Sequence, residues 1–533
     1  MTTKTRRFIY AFLILLALSF RLFIAIRIPN DEPDDGRVYS QIARNILEQH
    51  VYSIESQAPY TPTLIRLPGY PLFIAAIYSA FGHGNNTAVR VAQAVLDTGT
   101  CILIALLAFQ WAIAEERKHR AAMIALALAA VCPFTAIYVA TILTEVPTNF
   151  LAVAMALTAT FAFKAALRKR AITWWIVTGL LAGIAVFFRP DSGLFAAAIG
   201  LTLMLPALSA FRKFREATLY AAIFSLAFCV VLVPWTIRNR RLFHVFQPLA
   251  PAHAEMPGEF VPHGYLRWVR TWLDDERYVA PALWAMDTRQ IHVEDFPARA
   301  FDSKEERDRV AALFEKYNHP DGDESEQSNE EQPADDQSDQ DDSSGGDDED
   351  QPEEEPEPEE SPEPADTNVE MTPEIDAGFA QIAQERVEYS RLRYYVLLPL
   401  KRAKTLWFDT HSQYYPFNGE LLPLADLDYQ IHQQYWLPLF AGLTWIYTLL
   451  GVFGAWLMWH SRDSNGRRWL LMAALLMFLR LGFFATLENP EPRYTVELFP
   501  FLILLAAAGL SADYPNFIKT LRNLRKKPTV VLD

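Results

Sequence analysis

The residues of this chain that could do chemistry are acids and arginines placed at the ends of apolar stretches. Asp31, Glu32, Asp34 and Asp35 follow the first apolar run, and Arg66 precedes Leu67-Pro68-Gly69-Tyr70-Pro71. Farther along come Thr144-Glu145, Arg189-Pro190-Asp191, Pro234-Trp235-Thr236-Ile237-Arg238-Asn239 and Pro492-Arg493-Tyr494. A positioned carboxylate can take a proton from a hydroxyl, and a guanidinium can offer phosphate oxygens a planar fork of N–H donors. Gathered at one membrane face, the two types suit chemistry on a lipid headgroup and an acceptor presented from the same side.

Such residues have to be held by membrane-spanning helices. Of the 533 residues 51% are hydrophobic and 13% aromatic, which excludes a disordered chain and an ordinary soluble enzyme. The net charge of −15 hides two unlike parts. Twenty-three of the 63 acids lie between Asp321 and Asp366, where there is no Lys or Arg, so elsewhere 48 bases face 40 acids. Cys101, Cys132 and Cys229 all sit in apolar runs and offer neither a disulfide framework nor a zinc site. A bilayer core of about 30 Å needs roughly 20 apolar residues per helix. Runs at about 8–28, 88–113, 121–142, 146–165, 172–188, 193–210, 217–234, 436–459, 468–486 and 495–512 predict an all-α polytopic protein of about ten transmembrane helices. Lys4, Arg6 and Arg7 precede the first run and no small-x-small cleavage site follows before Pro29, so that run reads as an uncleaved anchor.

Basic loops alternate with the rest. Glu115–Arg120, Leu167–Arg170, Phe211–Arg215, Arg462–Arg468 and the tail Lys519–Lys527 carry the Lys and Arg, which places them and both termini in the cytoplasm. The opposite loops then face the periplasm or cell exterior of a cell (inner/plasma) membrane. Gly36–Gln49 has helical apolar spacing, and Pro71–Phe81 is too short to span; both suit helices at the membrane surface. The expected organisation is an N-terminal transmembrane module, 1–234, with an external loop 29–87; an external region 235–320; a disordered acidic linker 321–370; an external amphipathic helical region 371–435; and C-terminal spans with a basic tail, 436–533. The acidic run, rich in Pro, Gln, Ser and Gly, buries too little apolar surface to fold and reads as a solvated spacer. Trp235, Trp268, Trp272, Trp407, Tyr414, Tyr415 and Trp436 read as interfacial belt residues. His263, His411 and His432 have no metal-ligand spacing.

Asp35-Gly36-Arg37-Val38-Tyr39, Ile42-Ala43-Arg44-Asn45-Ile46, Arg66-Leu67-Pro68-Gly69-Tyr70-Pro71, Phe81-Gly82 and Ala88-Val89-Arg90, in that order, resemble the first external loop of the GT-C superfamily of polyprenol-dependent membrane glycosyltransferases. The branch is similar to protein O-mannosyltransferases and lipid A aminoarabinose transferases, and the Pro234–Asn239 motif and Arg493-Tyr494 followed by Pro500 fit it as well. The resemblance implies inverting transfer of a sugar from a polyprenyl-phosphate donor to a protein, lipid or cell-envelope glycan acceptor at the outer face. Membrane lipids would be further partners, with no nucleic acid.

It also implies roles. Asp35, four residues before Tyr39 as in the family's Asp-x-x-x-Tyr pattern, is the candidate base. The family's usual second acid is Gly36 here and the neighbouring acid is Asp34, so the register between Asp34 and Asp35 is open. Glu145 is a third candidate catalytic acid, able to position the acceptor or a divalent cation. Arg66 is the leading phosphate ligand, and Tyr39, Tyr70, Arg189, Arg238, Arg493 and Tyr494 complete the substrate-binding set. No cofactor is certain; a divalent cation is an option that the acids leave open. A transporter or flippase is the alternative. It would need ionisable groups near the bilayer midplane, where only Asp97, Arg21 and Arg480 come close. A non-catalytic scaffold using its acidic tether is a third reading.

Overall fold

A computed structural model describes residues 2–27, 34–112, 114–320, 369–409, 433–460 and 464–512. Asp31, Glu32, the acidic run 321–366, His411, Tyr414, Tyr415, His432 and the basic tail lie outside the described residues, as do the side chains of Asp34 and Trp436.

In chain order the helices are α1 (Thr3–Arg27), α2 (Asp34–Glu48), α3 (Gly69–Phe81), α4 (Asn86–Trp111), α5 (Lys118–Ala130), α6 (Pro133–Ala136), α7 (Glu145–Lys164), α8 (Arg168–Phe188), α9 (Gly193–Met204), α10 (Phe211–Phe243), α11 (His263–Val269), α12 (Lys304–Asn318), α13 (Pro373–Tyr389), α14 (Leu398–Phe408), α15 (Gln433–His460), α16 (Ser464–Ala485) and α17 (Phe499–Leu510). There is no strand among the described residues. Among the described residues nine helices are long and apolar enough to span a membrane, or ten if the bent pair Glu115–Ala130 and Pro133–Val139 counts as one span. The protein is a multi-pass membrane protein. Two compact units divide the chain: Met1–Val261 with Pro399–Asp533, and Pro262–Leu398.

In the membrane unit, α7 and α17 are the most enclosed spans. Packing between α8 and α10 rests on small residues, because lipid is as apolar as a leucine side chain and only close approach distinguishes helix from lipid. Gly179 and Gly183 on α8 let the backbone of α10 come close; a Cβ on Gly183 would fall 2.7 Å from Val231 Cβ.

Two spans differ from expectation. The run at 121–142 is broken by 53° after Ala130. Pro133 has no N–H to give the Ala129 carbonyl. Arg21 of α1 fills the gap, donating from Nη2 to Ala129 O and from Nη1 to Ala130 O, both at 3.0 Å. Its Nε pairs with Asp97 of α4 at 2.6 Å, and both side chains are buried. The run at 217–234 extends to Phe243, with Pro234 inside the helix and His244 ending it in the left-handed region. Proline is tolerated within spanning helices when surrounding groups re-satisfy the backbone. The Pro234–Asn239 motif therefore lies within the last turns of α10 and not after it.

The smaller unit has its own core, with Trp268, Trp272, Phe314 and Phe379 buried together. Trp268 and Trp272 are therefore core residues of this unit, correcting their assignment to an interfacial belt. Their rings are 5.5 Å apart, and each also packs against Phe296. Within the region 371–435, expected to be amphipathic and helical, the helix is interrupted at Ser390, after α13.

Candidate active site

Asp35 stands in the first turn of α2, and a loop of some twenty residues then returns the chain to Arg66 and the start of α3. This loop is internally fixed. The Asn45 amide donates to Ser53 O and Glu55 O at 2.8 Å each, Thr63 N donates to Tyr52 O, and the Tyr52 hydroxyl donates to Arg66 O at 3.1 Å. Gly69 sets the approach to α8, since a Cβ there would fall 2.6 Å from Phe187 O. Arg66 Nη2 then reaches Asp35 Oδ1 at 2.7 Å. Tyr39 and Tyr70 meet edge to face at 5.1 Å, and the Tyr70 hydroxyl donates to Gln93 Oε1 at 2.7 Å. Gln93, wholly buried on α4, spends its amide hydrogens on Val139 O and Thr141 O. The Arg66 guanidinium lies 5.9 Å from the Tyr39 ring centroid.

A second contribution comes from the short turn Pro492–Leu498 that leads into α17. Arg493 Nη1 lies 3.8 Å from Asp35 Oδ2, and its Nε pairs with Glu491 at 2.8 Å. Asp35 thus sits between two arginines from opposite ends of the sequence, with 30% of its side chain exposed, while Arg493 is 13% exposed. Tyr494 is flanked by two guanidinium groups, with Arg493 at 5.2 Å and Arg189 at 5.4 Å from its ring.

Arg189 leads into a buried ion network. It pairs with Glu145 at 2.7 Å, Asp191 at 3.2 Å and Glu497 at 3.5 Å. Arg480 pairs with Asp191 and with Glu497, the latter at 2.9 Å. Buried charges persist only where partners offset the loss of water. Here Glu145 is anchored at the first turn of α7 and Arg189 at the end of α8, so the network also fixes how the helix ends lie. Arg238 is set off from it, with its guanidinium 4.5 Å from the Trp235 ring and 5.1 Å from Tyr52. Trp235 is buried, edge to face with Tyr52 at 5.1 Å, and is not a belt residue. Burial, reinforced by the Asp35 carboxylate, pushes the Tyr39 hydroxyl up to about 12, so it stays a hydrogen-bond donor.

The structure therefore brings Asp35, Arg66, Tyr39, Tyr70, Glu145, Arg189, Arg493 and Tyr494 into one connected set, and joins Arg238 to it through Tyr52. Sequence reasoning did not name Glu497 or Glu491, named Asp191 only within its motif, and named Arg480 only as an ionisable group near the bilayer midplane. Glu497 and Arg480 had a usable signal, an ionisable side chain inside an apolar run. Tyr52 and Gln93 had none. Among the described residues no group of three or more His, Cys, Asp or Glu has metal-binding geometry; the site carboxylates face arginines.

A family model described as dolichyl-phosphate-mannose-protein mannosyltransferase matches residues 62–236, a stretch that holds Arg66, Tyr70, Glu145 and Arg189 but neither Asp35 nor Arg493. No curated protein matches the chain. Among solved structures, the archaeal oligosaccharyltransferase AglB from Archaeoglobus fulgidus, in complex with an inhibitory peptide and a dolichol-phosphate, matches over 100% of this chain with 11% identity and a TM-score of 0.50. The chain shares the fold of that oligosaccharyltransferase. The chain spans about half the length of that oligosaccharyltransferase, 53%. The same enzyme in its apo form matches 97% of this chain and 52% of its own, at 12% identity and a TM-score of 0.48. ArnT from Cupriavidus metallidurans bound to undecaprenyl phosphate matches 94% of this chain and 76% of its own, at 13% identity and a TM-score of 0.38.

Proposed function

We propose that this protein is a GT-C inverting glycosyltransferase that moves a sugar from a polyprenyl-phosphate donor to a hydroxyl of a protein or cell-envelope acceptor. The observation that carries this reading is the placement of a partly exposed carboxylate, Asp35, between the guanidinium groups of Arg66 and Arg493. An anionic donor phosphate competes with Asp35 for those groups. On binding, it takes up the arginine N–H donors and leaves the carboxylate free to accept a proton.

The step then balances simply. Asp35 takes the acceptor hydroxyl proton as that oxygen bonds to the anomeric carbon. The bond from that carbon to the phosphate oxygen breaks, and its electron pair leaves with polyprenyl phosphate. Arg66 and Arg493 stabilise the charge developing on the leaving group. Tyr39, a protonated donor beside Asp35, and Tyr494, between two arginines, orient the donor headgroup. Glu145 acts by holding Arg189, and Arg238 with Trp235 and Tyr52 borders the donor or acceptor. Carboxylate and arginine clusters of this kind belong at the non-cytoplasmic face, opposite the basic loops, with both termini in the cytoplasm. The acidic run 321–366 serves as a solvated spacer in the external region.

The test is release of polyprenyl phosphate from a labelled polyprenyl-phosphate sugar in a membrane preparation. Release should occur with the native protein and be lost in Asp35→Asn. Loss in Asp34→Asn alone would move the base by one residue and keep the reaction; full activity in both variants would end this assignment of the loop.

A further inference from the structure

The same helices that carry the acid–arginine cluster at one end enclose a second hollow at the other. Its walls come from the end of α7, the start of α8, the turn after α9, the start of α10 and the start of α16, roughly 30 Å along the helix axes from Glu145 and Arg189, taking 1.5 Å per residue over some 20 residues. Its volume is about 300 Å³, room for a phosphate and the glycerol attached to it. Trp175 and Phe163 give it apolar faces; Lys213, Arg468 and the Tyr220 hydroxyl give it polar ones. Glu216 also lines it and accepts a hydrogen bond from Tyr220 at 3.1 Å.

Arg468 is the informative residue. Its guanidinium is half-buried and lies 5.1 Å from the Phe163 ring centroid, and among the described residues no carboxylate pairs with it. Deep in the same unit, Arg21 is matched by Asp97, Arg189 by three acids and Arg480 by two. A desolvated guanidinium beside an open hollow calls for an anion from outside the chain. Around the mouth, Arg168, Lys169, Arg170, Arg212 and Arg215 are exposed and add positive potential. Basic pockets between spanning helices on the positively charged face attract anionic headgroups.

We propose that this hollow binds a phosphate group, that of an anionic phospholipid headgroup in the leaflet on the basic-loop side, between Arg468 and Lys213. The site is separate from the donor-phosphate cluster and does not depend on the transferase reading. Occupancy would clamp α7, α8, α10 and α16 together at the ends remote from the acid–arginine cluster.

The experiment uses the purified full-length protein in neutral detergent, titrated with micelles doped with phosphatidylglycerol or phosphatidylcholine. Thermal unfolding and lipid retained in native mass spectrometry are the readouts. Phosphatidylglycerol should raise the transition temperature saturably and phosphatidylcholine should not. Lys213→Gln with Arg468→Gln should weaken that effect roughly tenfold or more. Arg468→Lys should keep part of it, and Arg7→Gln, exposed on α1 and outside the hollow, should leave it intact, so a folding defect is distinguishable from a lost ligand. Inorganic phosphate and glycerol phosphate form the soluble arm: an equal shift from either would overturn the lipid source. Equal responses to both lipids, or an unchanged response in the double variant, would overturn the site.

Discussion

Arg66 Nη2 lies 2.7 Å from Asp35 Oδ1 across a loop that folds back on itself through Asn45, Tyr52 and Thr63. The contact is direct, yet both side chains keep about a quarter to a third of their surface open. An ion pair this exposed adds little to stability. On the proposed function its value is as a poised site, in which an incoming donor phosphate exchanges with the carboxylate.

The first expectation concerns Asp35. Asp35→Asn keeps the shape and removes the proton acceptor, so turnover should fall by about 10²–10⁴-fold. Binding of polyprenyl phosphate should be kept or tightened, since Arg66 and Arg493 lose an internal competitor. Measured together, single-turnover release and equilibrium binding separate the two effects. Weaker binding with normal turnover would rule out the exchange.

Arg66 should show the converse. Arg66→Ala should weaken polyprenyl-phosphate binding about tenfold or more, the loss of a charge-assisted contact worth roughly 1.5–3 kcal/mol. Arg66→Lys should recover charge without the paired N–H geometry, so rescue should be partial. The comparison to make is KM against kcat for the labelled donor. Unaltered kinetics in Arg66→Ala would assign the phosphate to Arg493 or Arg189 instead.

Much of this architecture could be read before any coordinates. Apolar run length gives the spans, and Arg66-Leu67-Pro68-Gly69-Tyr70 marks the loop because Pro, Gly and aromatics cluster there for backbone reasons. What could not be read was pairing. Arg480 and Asp191 are 289 residues apart, and nothing local states that they meet. Glu497 is a single acid in an apolar segment of the sequence, and nothing there shows that it answers both Arg189 and Arg480. Trp268 and Trp272 were misplaced for the opposite reason: aromatic content is the same for a membrane belt and a soluble core, and only their packing against Phe296, Phe314 and Phe379 distinguishes them. The break after Ala130 was hidden because apolarity is continuous across it, although Pro133 carried the signal.

That break yields a stability prediction. Arg21 caps the carbonyls left by Pro133 and neutralises Asp97, with both side chains buried. Arg21→Met should cost about 3–5 kcal/mol, because it strands a buried carboxylate and takes away the donor to the Ala130 carbonyl. Adding Asp97→Leu should restore a substantial part, since the stranded charge is removed. Thermal unfolding of the four members of the cycle in detergent gives the coupling. Additive losses would mean that the two residues act independently.

Deletion of the acidic run tests whether composition alone was a sound guide. The segments flanking it are already joined within the smaller unit: Glu370 N donates to Tyr317 O at 3.2 Å, and Met371 is buried beside the aromatic core. The Tyr317 hydroxyl in turn accepts from Asp287 N at 2.7 Å and donates to Arg289 O at 3.2 Å. The exposed pair Lys316–Glu374, at 2.9 Å, adds register more than energy. Replacing 321–366 with a short Gly/Ser linker therefore removes 23 carboxylates without touching these bonds. The thermal transition should move by no more than about 1 °C, and polyprenyl-phosphate release should fall less than about twofold, because a loop of this length costs little closure entropy either way. Loss of release with an unshifted transition would instead assign the run a partner-binding role, and a large drop in the transition would show that it stores structure its composition denies.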